Sequence, residues 1–448
     1  MTNHWSSRFT LLPAAALVFL LSALFIGTTV IYQPIVAVGL VCFILLLAVS
    51  LTRPEWISYF ALLTTSISIN FLFPGSFFGI EILSLYKLAV LMLLVPCILV
   101  NGVRLRLSPP VWAMAAMLII TFGWSDWLPG MSSSLAVKAF IGLSLPFMFM
   151  LINWKKEVAE MHIRLICLLP AFSLAAGLLL QAAGLHPMTN VEFNGAVRLQ
   201  GANIPPHLAM LAFLGVAIPF IELKRRPAQA RFFYTVLAVN LFILFATGTR
   251  GPLLALSLLV LYYLFDIARQ YLKGKNRYLL VLLGSFAVIA VAVYMQLDNL
   301  AKRSFERTTD TGIDLSGRAE AWAYFLKLAS VSPWTGRGLG SVTIANDGTL
   351  YAGFVVPHNE YIRFYFDGGY IGGILLLLSM LTVFVLVYRV LPRGVRPYYV
   401  LFIAAFMIYS FSDNTLSTVQ LIIPFCWYLN CLYRSAQPTD SPQKEVIR

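Results

Sequence analysis

Apolar runs separated by short polar, glycine- or proline-bearing breaks repeat along nearly the whole chain. They fall at about 11–31, 35–51, 57–74, 83–100, 110–124, 135–152, 165–184, 207–222, 233–247, 252–267, 279–296, 367–388, 397–411 and 417–433. A run of about 20 apolar residues is long enough to cross a bilayer as a helix. Several of these runs are short, and neighbours can merge or re-enter. The pattern therefore predicts an all-α polytopic membrane protein with about 12–14 transmembrane helices. The first run, at 11–31, lacks a small-residue cleavage site followed by a soluble part, and reads as a retained span. The chain reads as a single membrane domain over 1–448. Its largest non-spanning segment is 297–366, and residues 435–448 form a polar tail expected to be disordered.

Composition agrees with a bilayer location. The 448 residues are 59% hydrophobic and 11% charged, against about 25% charged in soluble domains. Mean hydropathy is +0.81. The formal charge of +13 would suggest nucleic acid in a soluble protein. Here it is explained by topology. With the N-terminus cytoplasmic, most of the 32 lysines and arginines fall in cytoplasmic segments, as the positive-inside bias requires. Both termini are then cytoplasmic, and no nucleic-acid partner is needed. The five cysteines lie inside apolar runs without CxxC spacing, and the five histidines show no HxxxH or HxxE spacing. No disulfide framework, metal or cofactor is expected.

The exceptions to the charge bias carry the candidate chemistry. Arg198, in "NGAVRLQGANIPPH", and Arg250, in "ATGTRGPLLAL", map to short loops on the opposite, external side. Gly251 and Pro252 suggest that Arg250 opens a helix, beside free backbone N–H groups that favour phosphate. The plainer reading is interfacial snorkelling. Within 297–366, "SGRAEAWAYFLKLASVSP" predicts a helix from Arg318 to Ser330, with Trp322, Phe325, Leu326 and Ala329 on one apolar face. Ser316 is the expected cap and Pro333 the stop. Such a helix would lie on the membrane surface or pack on the bundle. Arg318 sits in its first turn; the alternative is a solvated surface arginine. "TGRGLGS", which contains Arg337, lacks the Walker lysine and reads as a tight turn needing glycine. In "VVPHNEYIRFYFDGG", His358 stands at a helix mouth, followed by Asn359 and Glu360. A histidine can take a proton near neutral pH, and Glu360 could orient it. A lone histidine in that place can also simply cap a helix. Arginines that bind a diphosphate together with a histidine that deprotonates a hydroxyl suit a transferase using a lipid diphosphate donor.

These motifs, over about 195–373, resemble the O-antigen ligase and O-antigen polymerase superfamily of bacterial inner-membrane proteins. The resemblance implies a multi-span helical fold similar to C-type glycosyltransferases, with one large periplasmic segment containing short helices at 297–366. It implies an active site facing the periplasm, in which Arg250, Arg318 and His358 are catalytic. Arg198 is a weaker carry-over, because "ANIPPHLA" follows it where the family often continues with asparagines. Arg198, Arg337, Asn359 and Glu360 are expected to bind substrate. The implied donor is a glycan on undecaprenyl diphosphate, in a membrane lipid setting. The implied acceptor is a second lipid-linked repeat unit in a polymerase, of O-antigen or exopolysaccharide, or lipid A-core in a ligase. A flippase and a chain-length regulator are implied partners. Many ligases carry Ser or His where this chain has Pro357, which tips the reading towards a polymerase. A transporter or flippase is the main non-enzymatic alternative, and a structural assembly factor another; neither explains the arginine–histidine set.

Overall fold

Inside a bilayer a chain must satisfy its own backbone hydrogen bonds, so the long apolar runs fold as helices. The computed structural model describes residues 34–72, 75–77, 80–192, 195–305, 317–346, 348 and 355–437. The helices are α1 (Pro34–Thr52), α2 (Pro54–Thr64), α3 (Ile69–Leu72), α4 (Ile82–Asn101), α5 (Pro109–Gly123), α6 (Ser133–Met148), α7 (Lys156–Ala182) and α8 (Pro205–Arg225). They continue with α9 (Ala230–Ala246), α10 (Arg250–Leu272), α11 (Arg277–Phe305), α12 (Arg318–Ala329), α13 (Glu360–Val390), α14 (Arg396–Ser410) and α15 (Val419–Ala436). Two short antiparallel ribbons interrupt them: β1 (Ser76–Phe77) with β2 (Ile80–Glu81), and β3 (Thr189–Val191) with β4 (Val197–Leu199). The all-α polytopic architecture expected from the sequence is what the chain adopts. Among the described residues, seven helices are long and apolar enough to cross a membrane: α4, α7, α8, α9 with the turn before it, α10, α11 and α13. Shorter apolar helices add Val41–Thr52, α5 and α6.

The core centres on α8, which is buried over most of its length and packs against α7, α9, α10, α14 and α15. Asn240 of α9 ties this centre together by donating to the carbonyls of Cys167 (2.8 Å) and Gly215 (3.0 Å). Such interhelical amide bonds hold helices together where lipid leaves little hydrophobic drive. By contrast, α11 is almost uncovered by the rest of the chain.

Some boundaries differ from expectation, each for a local reason. The run 57–74 is not one helix. Thr65 and Ser66 turn their hydroxyls back onto the carbonyls of Leu62 and Leu63 (both 2.6 Å), and the Ser68 amide donates to Ala202 O (3.0 Å). Hydroxyl competition of this kind ends helices. The run 165–184 starts earlier, at Lys156, so His162 lies on a buried helix face rather than in a loop. Its Nε2 is 2.8 Å from Ser58 Oγ, and its ring sits among Tyr59, Trp154 and Trp427. The segment expected from 297 begins later, because α11 runs to Phe305. The helix at 318 ends at Ala329 and buries Ala321, Phe325 and Ala329 against α13, whereas Leu326 faces outward. The expected span 11–31, the Ser316 cap and residues 438–448 of the tail lie outside the described residues.

Helix α13 changes direction at Gly369, whose φ of 62° and ψ of −165° are non-helical. The "PWTGRGLGS" loop fills the break. Arg337 N donates to Phe366 O (2.8 Å) and Gly338 N to Asp367 O (3.1 Å); Tyr370 N donates to Pro333 O (2.9 Å) and Ile371 N to Trp334 O (3.1 Å). The Asp367 carboxylate accepts from Val342 N (3.0 Å) and Ser341 Oγ (3.3 Å). The glycine-rich stretch is therefore a turn, as its composition suggested. It caps a broken helix whose first part carries the residues after His358.

Candidate active site

Helix starts and loops from across the sequence meet at one end of the bundle around a cavity of about 140 Å³. Its walls include Arg198, Arg250, Arg318, His358 and Asp413. A larger cavity of about 300 Å³ lies between α8, α9, α10 and α11, but no charged side chain lines it. Of these two, the charged cavity is the one suited to a polar substrate.

Arg250 is the first residue of α10. Gly248 turns the chain with φ +60°, and Thr249 enters in extended conformation. Gly251 lets the next loop approach, because a Cβ there would stand 2.8 Å from Ser412 Oγ. Arg318 is likewise the first residue of α12, after Gly317 at φ +75°. Two guanidinium groups thus stand at helix N-termini, where the helix dipole favours an anion.

Arg198, on β4, is buried and firmly held. Its Nε donates to Thr247 O (2.7 Å), Nη1 to Glu192 Oε1 (2.7 Å) and Nη2 to Thr249 Oγ1 (2.9 Å). These bonds clamp the turn that delivers Arg250, so Arg198 both lines the cavity and positions its neighbour.

His358 has φ +48° and is the one non-glycine residue with positive φ among those described. That conformation costs an L-residue about 1–2 kcal/mol. It is held in place from both sides. Trp322 Nε1 donates to Pro357 O (2.7 Å), and Asn359 caps α13 by accepting from Tyr361 N (3.0 Å) and Ile362 N (3.2 Å). The imidazole Nδ1 lies 3.2 Å from Asp413 Oδ1 and 3.2 Å from Asn414 Nδ2. With the proton on Nδ1, donated to Asp413, Nε2 is the basic nitrogen of the ring. Burial pushes the Asp413 carboxyl up. The hydrogen bond and charge of His358, the Asn414 amide and the Arg318 guanidinium outweigh it and hold Asp413 below the usual carboxylate value.

The carboxylate beside His358 is thus Asp413, and not Glu360 as its nearness in sequence suggested. Glu360 points the other way. Its Oε1 accepts from Leu416 N (2.7 Å), Ser417 N (3.0 Å) and Ser417 Oγ (3.1 Å), and so anchors the loop that bears Asp413. Asn359, Glu360 and Arg337 shape the surroundings without lining the cavity. Arg337 is buried and ion-paired with Asp126. Arg198, Arg250, Arg318 and His358 are brought together. Asp413 is the residue that sequence reasoning missed. Its signal was present: it is the one acidic residue between Asp367 and Asp440, in "YSFSDNTLS" between two apolar runs.

Residues 233–377 match the family model described as O-antigen ligase. This stretch includes Arg250, Arg318 and His358, and it bears out the O-antigen ligase and polymerase superfamily inferred from the motifs. Comparison with curated proteins gave no match.

Proposed function

We propose that this membrane protein, with its O-antigen ligase-type domain, is a polysaccharide polymerase. It would join repeat units carried on undecaprenyl diphosphate at the periplasmic face of the bacterial inner membrane. The observation that carries the reading is the meeting of Arg250, Arg318 and His358 in one cavity, with Asp413 behind the imidazole.

In this reading Arg250 and Arg318 hold the donor diphosphate, and Arg198 completes the positive wall. The acceptor hydroxyl gives its proton to Nε2 of His358. Its oxygen attacks the anomeric carbon of the donor sugar as the bond from that carbon to the diphosphate oxygen breaks. Undecaprenyl diphosphate leaves with the electron pair, and its negative charge is met by the guanidinium groups. A single displacement inverts the anomeric configuration. Asp413 stabilises the imidazolium that forms, in the manner of a carboxylate behind a general base.

The family description favours a second reading, in which the same chemistry transfers the finished glycan to lipid A-core. Deletion of the protein separates the two. Single repeat units on the outer-membrane lipid indicate a polymerase; bare core with accumulated lipid-linked polymer indicates a ligase. In either case His358→Ala and Arg318→Ala abolish product at normal protein level. Unchanged product in either variant would overturn the assigned roles. A flippase supplying the donor and a regulator of chain length are the partners this reading implies.

A further inference from the structure

An oligosaccharide is larger than the cavity of about 140 Å³, so an acceptor glycan extends past its rim. Beside His358 that rim is aromatic. Phe411 directly precedes Ser412 and Asp413 on the cavity wall, and Trp322 lies one turn beyond Arg318 on α12. The Trp322 and Phe411 rings meet edge to face, with centroids 5.1 Å apart. The Tyr361 ring lies 6.4 Å from that of Phe411, centroid to centroid. Phe411 is 54% exposed and Tyr361 41%.

The polar tips of these rings decide between two uses. Aromatic residues of a membrane-interface belt keep the indole N–H or phenol hydroxyl towards water and headgroups. Here both tips are bonded to the protein's own backbone. Trp322 Nε1 donates to Pro357 O (2.7 Å) and Tyr361 Oη to Met407 O (2.9 Å). Phe411 has no polar tip. The platform therefore presents ring surface, fixed in place before any ligand arrives. The electron-rich face of an aromatic ring attracts positively polarised groups, and the axial C–H bonds of a pyranose are such a surface. Because the rings adjoin Pro357–His358 and Ser412–Asp413, the sugar they hold is the one next to the base.

We infer that Phe411, Tyr361 and Trp322 form a stacking platform for a pyranose ring of the acceptor glycan at the cavity mouth. The inference rests on the transfer reaction proposed above, and its test separates the two. The probe is the oligosaccharide released by mild acid from the lipid-linked glycan that accumulates in cells lacking the protein. Saturation-transfer NMR on the full chain in nanodiscs, with His358→Ala to prevent turnover, measures its binding. Adding Phe411→Ala or Phe411→Leu weakens binding at least about fivefold, the scale of one aromatic contact; Phe411→Trp restores it. In the active protein, Phe411→Leu raises KM for the acceptor by a similar factor and leaves KM for the donor unchanged. Binding that persists in correctly folded Phe411→Leu and Tyr361→Ala proteins overturns the platform. Equal loss in Phe411→Leu and Phe411→Trp does so as well, since it marks a merely structural ring. Absence of transfer by the native protein would instead sink the proposed reaction, and the binding measurement would still decide the platform.

Discussion

The proposed base needs the correct tautomer as well as the correct place, and at His358 the two come from different parts of the chain. The backbone supplies the place, through a positive φ that neighbouring hydrogen bonds enforce. Asp413, 55 positions away, favours the tautomer with the proton on Nδ1. Since its carboxyl is held below the usual value, the pair is intact at any pH above the ordinary carboxylate range. It dissolves as pH falls through that lowered value. Asp413→Asn removes the charge at every pH. Its expected effect is a fall in kcat of about tenfold or more, not restored by raising the pH from neutral to alkaline. A pH profile in which Asp413→Asn recovers full activity at alkaline pH would argue against this positioning role. At this scale the sequence revealed the groups that break an apolar pattern: Arg250, Arg318 and His358. It did not reveal Asp413, because the pairing depends on a contact between distant segments. Glu360 looked suitable only because a helix start was not yet known to turn it towards residues 416 and 417.

At the scale of elements, the break in α13 joins the site to the membrane helix below it. Gly336 has φ +71°, and a Cβ on it would come within 2.5 Å of Gly369 N and 2.6 Å of Asp367 O. Backbone cannot give way there as a flexible side chain can. Gly336→Ala is therefore expected to destabilise the protein by about 1–3 kcal/mol. Thermal unfolding in detergent should show a lower Tm. Gly394→Ala, where nothing lies within 4 Å of the added Cβ, is the control and leaves Tm unchanged. Equal Tm values for the two would show that the loop does not cap the helix. The glycines of "TGRGLGS" announced a turn, since three of them take positive φ. What the turn packs against could not be read, because its hydrogen-bond partners lie on α13 about thirty residues further along the chain.

Considered as a whole, the molecule has a cavity end and a basic end. Helices α10 and α13 start beside the cavity, at Arg250 and two residues past His358, and end near Arg269 and Arg389. The α8 helix starts at Pro205, next to cavity-lining Pro206, and ends at Lys224 and Arg225. The 23 residues of α10 extend about 35 Å at 1.5 Å per residue, enough to separate the two ends by a bilayer. The all-α polytopic architecture was legible because a membrane imposes long apolar runs, residue by residue, on the sequence, whereas the expected 12–14 spans exceed the seven long apolar helices among the described residues. Which helix would be central was not: α8 is less apolar than α11, yet α8 is the buried one and α11 faces outward. The positive-inside bias predicts that the basic end lies in the cytoplasm and the cavity outside. In a variant lacking the native cysteines, Val355→Cys should react with a membrane-impermeant maleimide in intact spheroplasts. Lys275→Cys, beyond the end of α10, should react only after lysis. The reverse pattern would place the imidazole in the cytosol, out of reach of a periplasmic glycan, and no transfer at that face could then use it.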